Sequence, residues 1–183
     1  MTLLPEPLGA HAVVVGGTAW HVVAADVDPE WVAAETAAHP VSAPLGARFL
    51  AALADRVGYE PGTLDNVLVA PPGVAELELV PAEVDHPRVE RALLHRSDVR
   101  VWTTSDGAGL LTLGRGVAGR WEVSLEVDPV WRGRGLGTAL ARAARALATG
   151  PLWAQVAPAN TASLRAFLAA GYRPVGAEVL FGP

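Results

Sequence analysis

One stretch limits what this chain can fold into more than any other: Val127-Asp128-Pro129-Val130-Trp131-Arg132-Gly133-Arg134-Gly135-Leu136-Gly137-Thr138. An apolar run that alternates with period two leads into it, and an amphipathic run leads out. Between them stand three glycines and two arginines. Glycine accepts positive φ at no steric cost and lets backbone approach a ligand closely. A helix starting here presents unpaired N–H groups and the positive end of its dipole. Strand, glycine turn and helix in that order make a site for a phosphorylated ligand and point to an α/β fold.

Several chemistries are removed by composition. The chain has 183 residues, a length for one domain or one domain with an extension, and a net charge of −5 that argues against nucleic acid as a partner. All fourteen basic residues are arginine, so no lysine is offered as a Schiff-base former or phosphate anchor. Cysteine is absent, which removes a thiol nucleophile, a disulfide framework and a thiolate metal site. The five histidines are scattered without metal-ligand spacing, and no Ser/His/Asp nucleophile elbow occurs. The N-terminal residues lack a basic region and are broken by Pro5 and Pro7, unlike a signal peptide. No run approaches the ~20 apolar residues of a membrane span. The expected setting is the cytoplasm, with no membrane partner.

In chain order, residues 11–15 and 20–27 read as two strands around Gly16-Gly17. Asp28-Pro29 opens a helix to about residue 38. Ser42 or Pro44 opens another, with Leu45, Phe49, Leu50, Leu53 and Val57 at helical spacing and Gly58 at its end. Residues 67–70 form an apolar run, and Pro71-Pro72-Gly73 marks a boundary. Residues 1–73 are therefore expected to be an N-terminal extension, and 74–183 the catalytic core. In the core, 77–80 reads as a first strand. Asp85-His86-Pro87 caps a helix with Val89, Leu93 and Leu94 on its inner face. Residues 98–104, 110–113 and 121–127 read as strands, the first two joined by the turn Ser105-Asp106-Gly107. The helix after Gly135 carries Leu136, Ala139, Leu140, Ala143 and Leu147 on one face. Arg142 and Arg145 lie outside that stripe, on a solvated face or on phosphate. Residues 152–157 form a strand, Asn160 opens the last helix, Gly171 closes it, and 172–181 supplies one or two closing strands.

The segment Gly114-Arg115-Gly116-Val117-Ala118-Gly119 spells a dinucleotide-binding G-x-G-x-x-G after a strand. That motif requires a helix next. The residues after it are instead Trp121-Glu122-Val123-Ser124-Leu125-Glu126-Val127, a run that alternates and is rich in β-formers. A hairpin loop is predicted, and a nucleotide-dependent enzyme is disfavoured with it.

The first segment resembles the acyl-CoA-binding turn of the GNAT acyltransferase superfamily, whose signature of Arg or Gln, two residues, Gly, one residue, then Gly or Ala is filled by Arg132, Gly135 and Gly137. A second segment is similar to the family's other cofactor element: Asn160 after a strand, small Ser163 three places on, and Gly171-Tyr172 as a close. Asn160 caps a helix and also carries donors and an acceptor for a pantetheine arm. The resemblance implies an α/β (α+β) fold, a mixed, mostly antiparallel twisted sheet flanked by helices, with the N-terminal α/β extension outside it. The family often places a proton-donating tyrosine seven residues after the Asn; here that position is Phe167. Loss of that acid is tolerable, because a thiol is only weakly basic, with a pKa of about 8.5 for a model cysteine. Tyr59, Tyr172, Thr161 or a water are the substitutes left open.

What the resemblance implies for function is N-acetyl transfer from acetyl-CoA, as acyl-donor cosubstrate, to a primary amine of a small molecule or protein by direct attack in a ternary complex. Backbone N–H groups of Arg132, Gly133, Arg134, Gly135, Leu136, Gly137 and Thr138, helped by the Arg132 and Arg134 charges, would hold the pyrophosphate. The main chain of Leu125, Glu126 and Val127 would align the pantetheine, Asn160, Ser163 and Phe167 would line it, and the Val127 N–H would meet the developing oxyanion, such a donor contributing about 3 kcal/mol. Glu122 and Glu126 share one face of their strand by parity. They are either exposed strand carboxylates or the general base, and a base should be partly buried with a raised pKa. No metal is implied. The acidic balance favours a cationic acceptor, and a homodimer is left open. Phe167 and the unassigned base motivate a second reading, a non-catalytic acyl-CoA-binding regulatory module.

Overall fold

The computed structural model describes residues 1–5, 7 and 10–182; Glu6, in the N-terminal stretch read above, lies outside them with Leu8, Gly9 and Pro183. The chain divides into two compact units, residues 1–67 with 175–183, and residues 68–174.

In the first unit, strand β2 (Ala12–Gly16) and strand β3 (His21–Ala24) form the expected hairpin. Strand β1 (Thr2–Leu4) runs parallel to β3, and the last strand, β10 (Arg173–Phe181), pairs antiparallel with β2 through residues 177–181. The order is β1-β3-β2-β10. β1 was not anticipated, because three residues carry no readable period and their partner lies twenty positions on. Helix α1 (Pro29–Thr36) is capped by Asp28, whose Oδ1 accepts the Glu30 N–H at 2.8 Å. The next helical segment begins as a short 3-10 turn, Ala43–Leu45, before helix α2 (Ala47–Val57), which ends on Gly58 at φ +75°. Val32, Phe49 and Leu53 from these helices close a core with Val14, Val23, Val179 and Phe181.

The second unit holds strand β4 (Asp65–Ala70) from residue 68 onward, strand β5 (Val80–Pro81), helix α3 (Pro87–His95) and strands β6 (Ser97–Thr103), β7 (Gly109–Arg115) and β8 (Trp121–Val127). Helix α4 (Leu136–Leu147), strand β9 (Leu152–Val156) and helix α5 (Thr161–Ala169) complete it. The order is β4-β9-β8-β7-β6-β5. β5 through β8 pair antiparallel in sequence, and β8 pairs parallel with β9. This is a mixed, mostly antiparallel sheet with helices on both faces. Val123, Leu125 and Val127 of β8 join the core beneath α4 with Leu111, Leu140 and Phe167. The alternate residues Glu122, Ser124 and Glu126 turn to the opposite face, where α3 lies.

Three expectations do not hold. Residues 77–79 form no strand: Leu77 and Leu79 pack against the core while Glu76 and Glu78 are exposed, so the alternation is real but no ladder partner meets it. Leu93 and Leu94 are not inside; they are 62% and 79% exposed. The inward residues of α3 are Val89 and Ala92, with Arg88 half-buried beside them and tied to Glu126; Arg96, the extended residue just past the helix, is tied to Glu122. Leu147 is 37% exposed, outside the α4 stripe. Arg142 is exposed, on the solvated face expected of it, and Arg145 is half-buried; both also hold carbonyls of α5. Arg142 Nη2 donates to the Ala169 carbonyl at 3.1 Å, and Arg145 Nη1 donates to the Ala170 carbonyl at 2.7 Å. Two cations thus close the carbonyl end of α5, where the helix dipole favours positive charge. Arg145 Nε also donates to the Pro71 carbonyl at 3.0 Å.

The Gly114-to-Gly119 loop leads into β8, a strand, as predicted, with the Gly116 N–H donating to the Arg120 carbonyl at 3.0 Å. No helix succeeds the loop for a dinucleotide to use.

Candidate functional site

β8, the turn after it and α4 place the first group of predicted residues together. After β8 the Asp128 side chain accepts from the Val130 N–H at 2.9 Å, and residues 129–131 make one 3-10 turn. Gly133 and Gly135 then take φ of +75° and +86°, which releases the chain into α4 with Gly135 as its N-cap. Nothing lies within 4 Å of where a Cβ would stand at either glycine, so their backbone faces open space. At Gly137 a Cβ would meet Ala166 at 3.6 Å and Val127 at 3.8 Å, so α4, α5 and β8 come together there.

The backbone donors of this turn can be accounted for one by one. Arg132 N–H donates to the Pro129 carbonyl at 3.4 Å, and Thr138 N–H to the Gly135 carbonyl at 3.0 Å. Among the described residues no protein acceptor meets the N–H groups of Gly133, Arg134, Gly135, Leu136 or Gly137. The row of available donors is therefore 133–137, shorter at each end than 132–138. Arg132 Nε turns back to the Val127 carbonyl at 3.1 Å, and the Arg134 guanidinium lies over the Trp131 ring, 5.2 Å from its centre.

Register sets where the β8 amides point. Asp128 N–H donates to the Ala108 carbonyl at 2.9 Å and Gly116 N–H to the Arg120 carbonyl at 3.0 Å. Both fix the even-numbered residues of β8 as those bonded to β7, since antiparallel pairs alternate. The N–H and C=O groups of Val123, Leu125 and Val127 then point the other way, toward β9. Yet the parallel ladder with β9 covers only Trp121↔Leu152 and Glu122↔Trp153. Beyond it the two strands diverge, and the Leu125 and Val127 amides project into the opening.

On the far side of that opening α5 begins. Asn160 is its N-cap, with Oδ1 accepting the Ser163 N–H at 3.1 Å; its side-chain NH2 is exposed and available. Ser163 is half-buried beside it. Phe167 is not at the opening. It is 4% exposed and sits edge-on to Tyr172, ring centres 4.9 Å apart. A ligand contact at Phe167 would need that packing undone. Tyr172 is 2% exposed and its hydroxyl donates to the Ala141 carbonyl at 3.3 Å; burial pushes its pKa well above the usual phenol value. It is no substitute acid.

Glu122 and Glu126 do share a face, and both meet arginines that sequence reasoning had not connected to them. Glu122 is buried, with Oε2 held by Arg96 Nε at 2.9 Å and Oε1 by Arg120 Nε at 2.8 Å. Glu126 Oε2 accepts from Arg88 Nε at 2.8 Å, and Arg88 Nη1 donates to Ser124 Oγ at 3.1 Å. The Arg88 hydrogen bond holds the Glu126 carboxyl below its ordinary range, the direction opposite to that required of a base. A signal for these pairs existed. Arg88 stands in the first turn of α3 and Arg96 directly after its last residue, so the two bracket a helix of nine residues, about 13 Å at 1.5 Å per residue. Glu122 and Glu126 are four apart on a strand, about 13 Å.

Among the described residues no three His, Asp or Glu side chains come together to hold a metal, and no helix is long and apolar enough to cross a membrane.

Strand, glycine turn, α4 and the opening between β8 and β9 define a site of the acyltransferase class. The model of the Acetyltransferase (GNAT) family matches residues 81–172, and the chain belongs to that family. Among solved structures, an acetyltransferase of the GNAT family from Colwellia psychrerythraea is similar at 9% identity, with 90% of this chain and 76% of that chain covered and a TM-score of 0.49. No curated protein matches the chain.

Proposed function

We propose that the chain is an N-acetyltransferase that takes the acyl group from acetyl-CoA and passes it to a primary amine of a small molecule or protein by direct attack in a ternary complex. The observation that carries this reading is the row of unengaged N–H groups at 133–137, at the mouth of α4 and next to the β8 amides that project beyond the β9 ladder. In this reading the backbone of that row, with the Arg132 and Arg134 charges, takes the diphosphate. The main chain of Leu125 and Val127 extends the strand edge along the pantetheine, with Asn160 and Ser163 opposite. The Val127 N–H stabilises the oxyanion. The α4 face of β8 is filled by core, so the acceptor approaches from the α3 face, where Glu126 and Arg88 are each about one-third exposed.

The test is calorimetric uptake of coenzyme A and acetyl-CoA, followed by release of free thiol across a panel of amines. Uptake with release supports the reading, and absence of uptake contradicts it. A second reading, a non-catalytic acyl-CoA-binding module, is favoured by Phe167 standing in the core and by the arginine-held carboxylates. Tight uptake with no release on any amine would select it.

A further inference from the structure

Helix α3 buries Val89 and Ala92 and leaves Leu93 and Leu94 62% and 79% exposed. A single exposed leucine is ordinary, but these two adjoin further apolar surface. Beside the helix lies an open groove of 760 Å³. Val99 and Val101 of β6, Val89 and Leu93 of α3, and Val84 from the segment joining β5 to α3 line it. The same segment adds Glu83 and Asp85, both exposed. Leucine ridge, apolar groove and acidic border thus stand next to one another on one face. We infer that a second copy of the chain covers this face with its own, the two α3 helices packing about a two-fold axis that passes by Leu93.

The order of features across the face is what singles out a second copy. Successive residues of an α-helix are turned by about 100°. Going round α3 from buried Val89, Leu93 comes first, on the side of the groove. Leu94 follows at the crest, and Arg91 lies past the crest on the far flank. The face therefore reads acid, groove, Leu93, Leu94, cation. A two-fold axis reverses that order on the facing copy, and every contact occurs twice. With Leu93 against its own mate, the Leu94 of each copy stands over the groove of the other. Each Arg91 then stands over the Glu83 and Asp85 of the other copy. Among the described residues none of these three charged groups has an ion-pair partner within its own chain. Arg100 also borders the groove, but its guanidinium lies over the Trp121 ring, 5.4 Å from its centre, so its charge is turned away. Glu90, a turn before Leu94, is exposed and is left at the solvated margin. A foreign partner would need to match one half of this face; the chain supplies both halves itself. The inference does not depend on what the chain transfers.

The experiment is sedimentation velocity on the full chain from low to high micromolar concentration. The wild type is expected to reach twice the 19.0 kDa of one chain. Leu94→Glu is expected to weaken the dimer on the order of tenfold or more, with an unchanged far-UV spectrum because the side chain is exposed in the single copy. A charge swap then tests the pairing itself. Arg91→Glu alone, and Glu83→Arg with Asp85→Arg alone, each set like charges against one another across the axis and are expected to be monomeric. An equimolar mixture of those two variants is expected to form heterodimers, because both symmetry-related contacts then join opposite charges. A wild type that stays monomeric overturns the inference, as does a dimer that none of these variants weakens or a mixture that associates no better than its components. A monomeric wild type whose KM for an amine rises in Leu94→Glu overturns it in favour of the acceptor as the occupant of the groove.

Discussion

Arg96 and Glu122 meet in a buried ion pair, Nε to Oε2 at 2.9 Å, with their side chains only 11% and 4% exposed. Arg120, 15% exposed, completes the group from the other side. Removing the shared carboxylate strands two cations in a place water reaches poorly. Glu122→Ala is expected to cost about 3–5 kcal/mol in urea unfolding. Gly116→Ala, which drives a methyl onto the same carboxyl, is expected to destabilise in the same direction. An unfolding midpoint unchanged in both variants would contradict the placement.

Phe167 stands where the family resemblance led us to expect an acid, yet on α5 it is packed against Tyr172 in the core. Phe167→Tyr is therefore not expected to raise the rate of thiol release. Its hydroxyl enters a core with no partner for it, and stability should fall by about 1–3 kcal/mol. A faster enzyme with an unchanged midpoint would show that the ring reaches the reacting atoms.

How far sequence could be read here depended on whether the determinants were contiguous. From 127 to 138, strand, turn and helix start are all local, and so is the Asn160 cap, so both were legible. The hairpin nature of 114–119 was legible too, because period-two alternation comes directly after it. The inner face of α3 was misjudged because Arg88 is held by a partner 38 residues away and Val89 and Ala92 face inward with it, leaving Leu93 and Leu94 outside. The segment 77–79 alternates like a strand, but alternation reports which face is covered and cannot report whether a neighbouring strand is there to pair. β1 depends on a partner outside its own three residues.

Gly171 closes α5 at φ +87°, and a Cβ there would come within 2.7 Å of Arg145 Nη1. Gly171→Ala thus strains the backbone and displaces the guanidinium from the Ala170 carbonyl. The expected loss is about 1–3 kcal/mol for the strained residue. Adding Arg145→Met should cost less in this background than in the wild type, because the clasp is already disturbed. Full additivity in a double-mutant cycle would argue against the clasp.

Glu126 carries the pH signature of the α3 contact. Its folded pKa lies below its ordinary value of 4.5, chiefly through the Arg88 hydrogen bond. A depressed carboxyl pKa gives stability that is fully present above the unfolded value and is lost as pH falls through the folded one. Wild type should therefore lose stability more steeply than Arg88→Met below about pH 4.3, and the two curves should run parallel above pH 6. The group is partly exposed, so the difference should be small and should shrink in high salt. Parallel curves throughout would contradict the assignment.

The backbone at 133–137 is the feature on which donor binding depends, and it can be watched directly. In a titration of 15N-labelled protein with coenzyme A, the amides of Gly133, Arg134, Gly135, Leu136 and Gly137 are expected to move most, together with Leu125 and Val127 at the strand edge. Arg132 and Thr138, whose N–H groups already have protein acceptors, should move less. Saturable binding with those five amides silent and the largest shifts elsewhere would contradict the site.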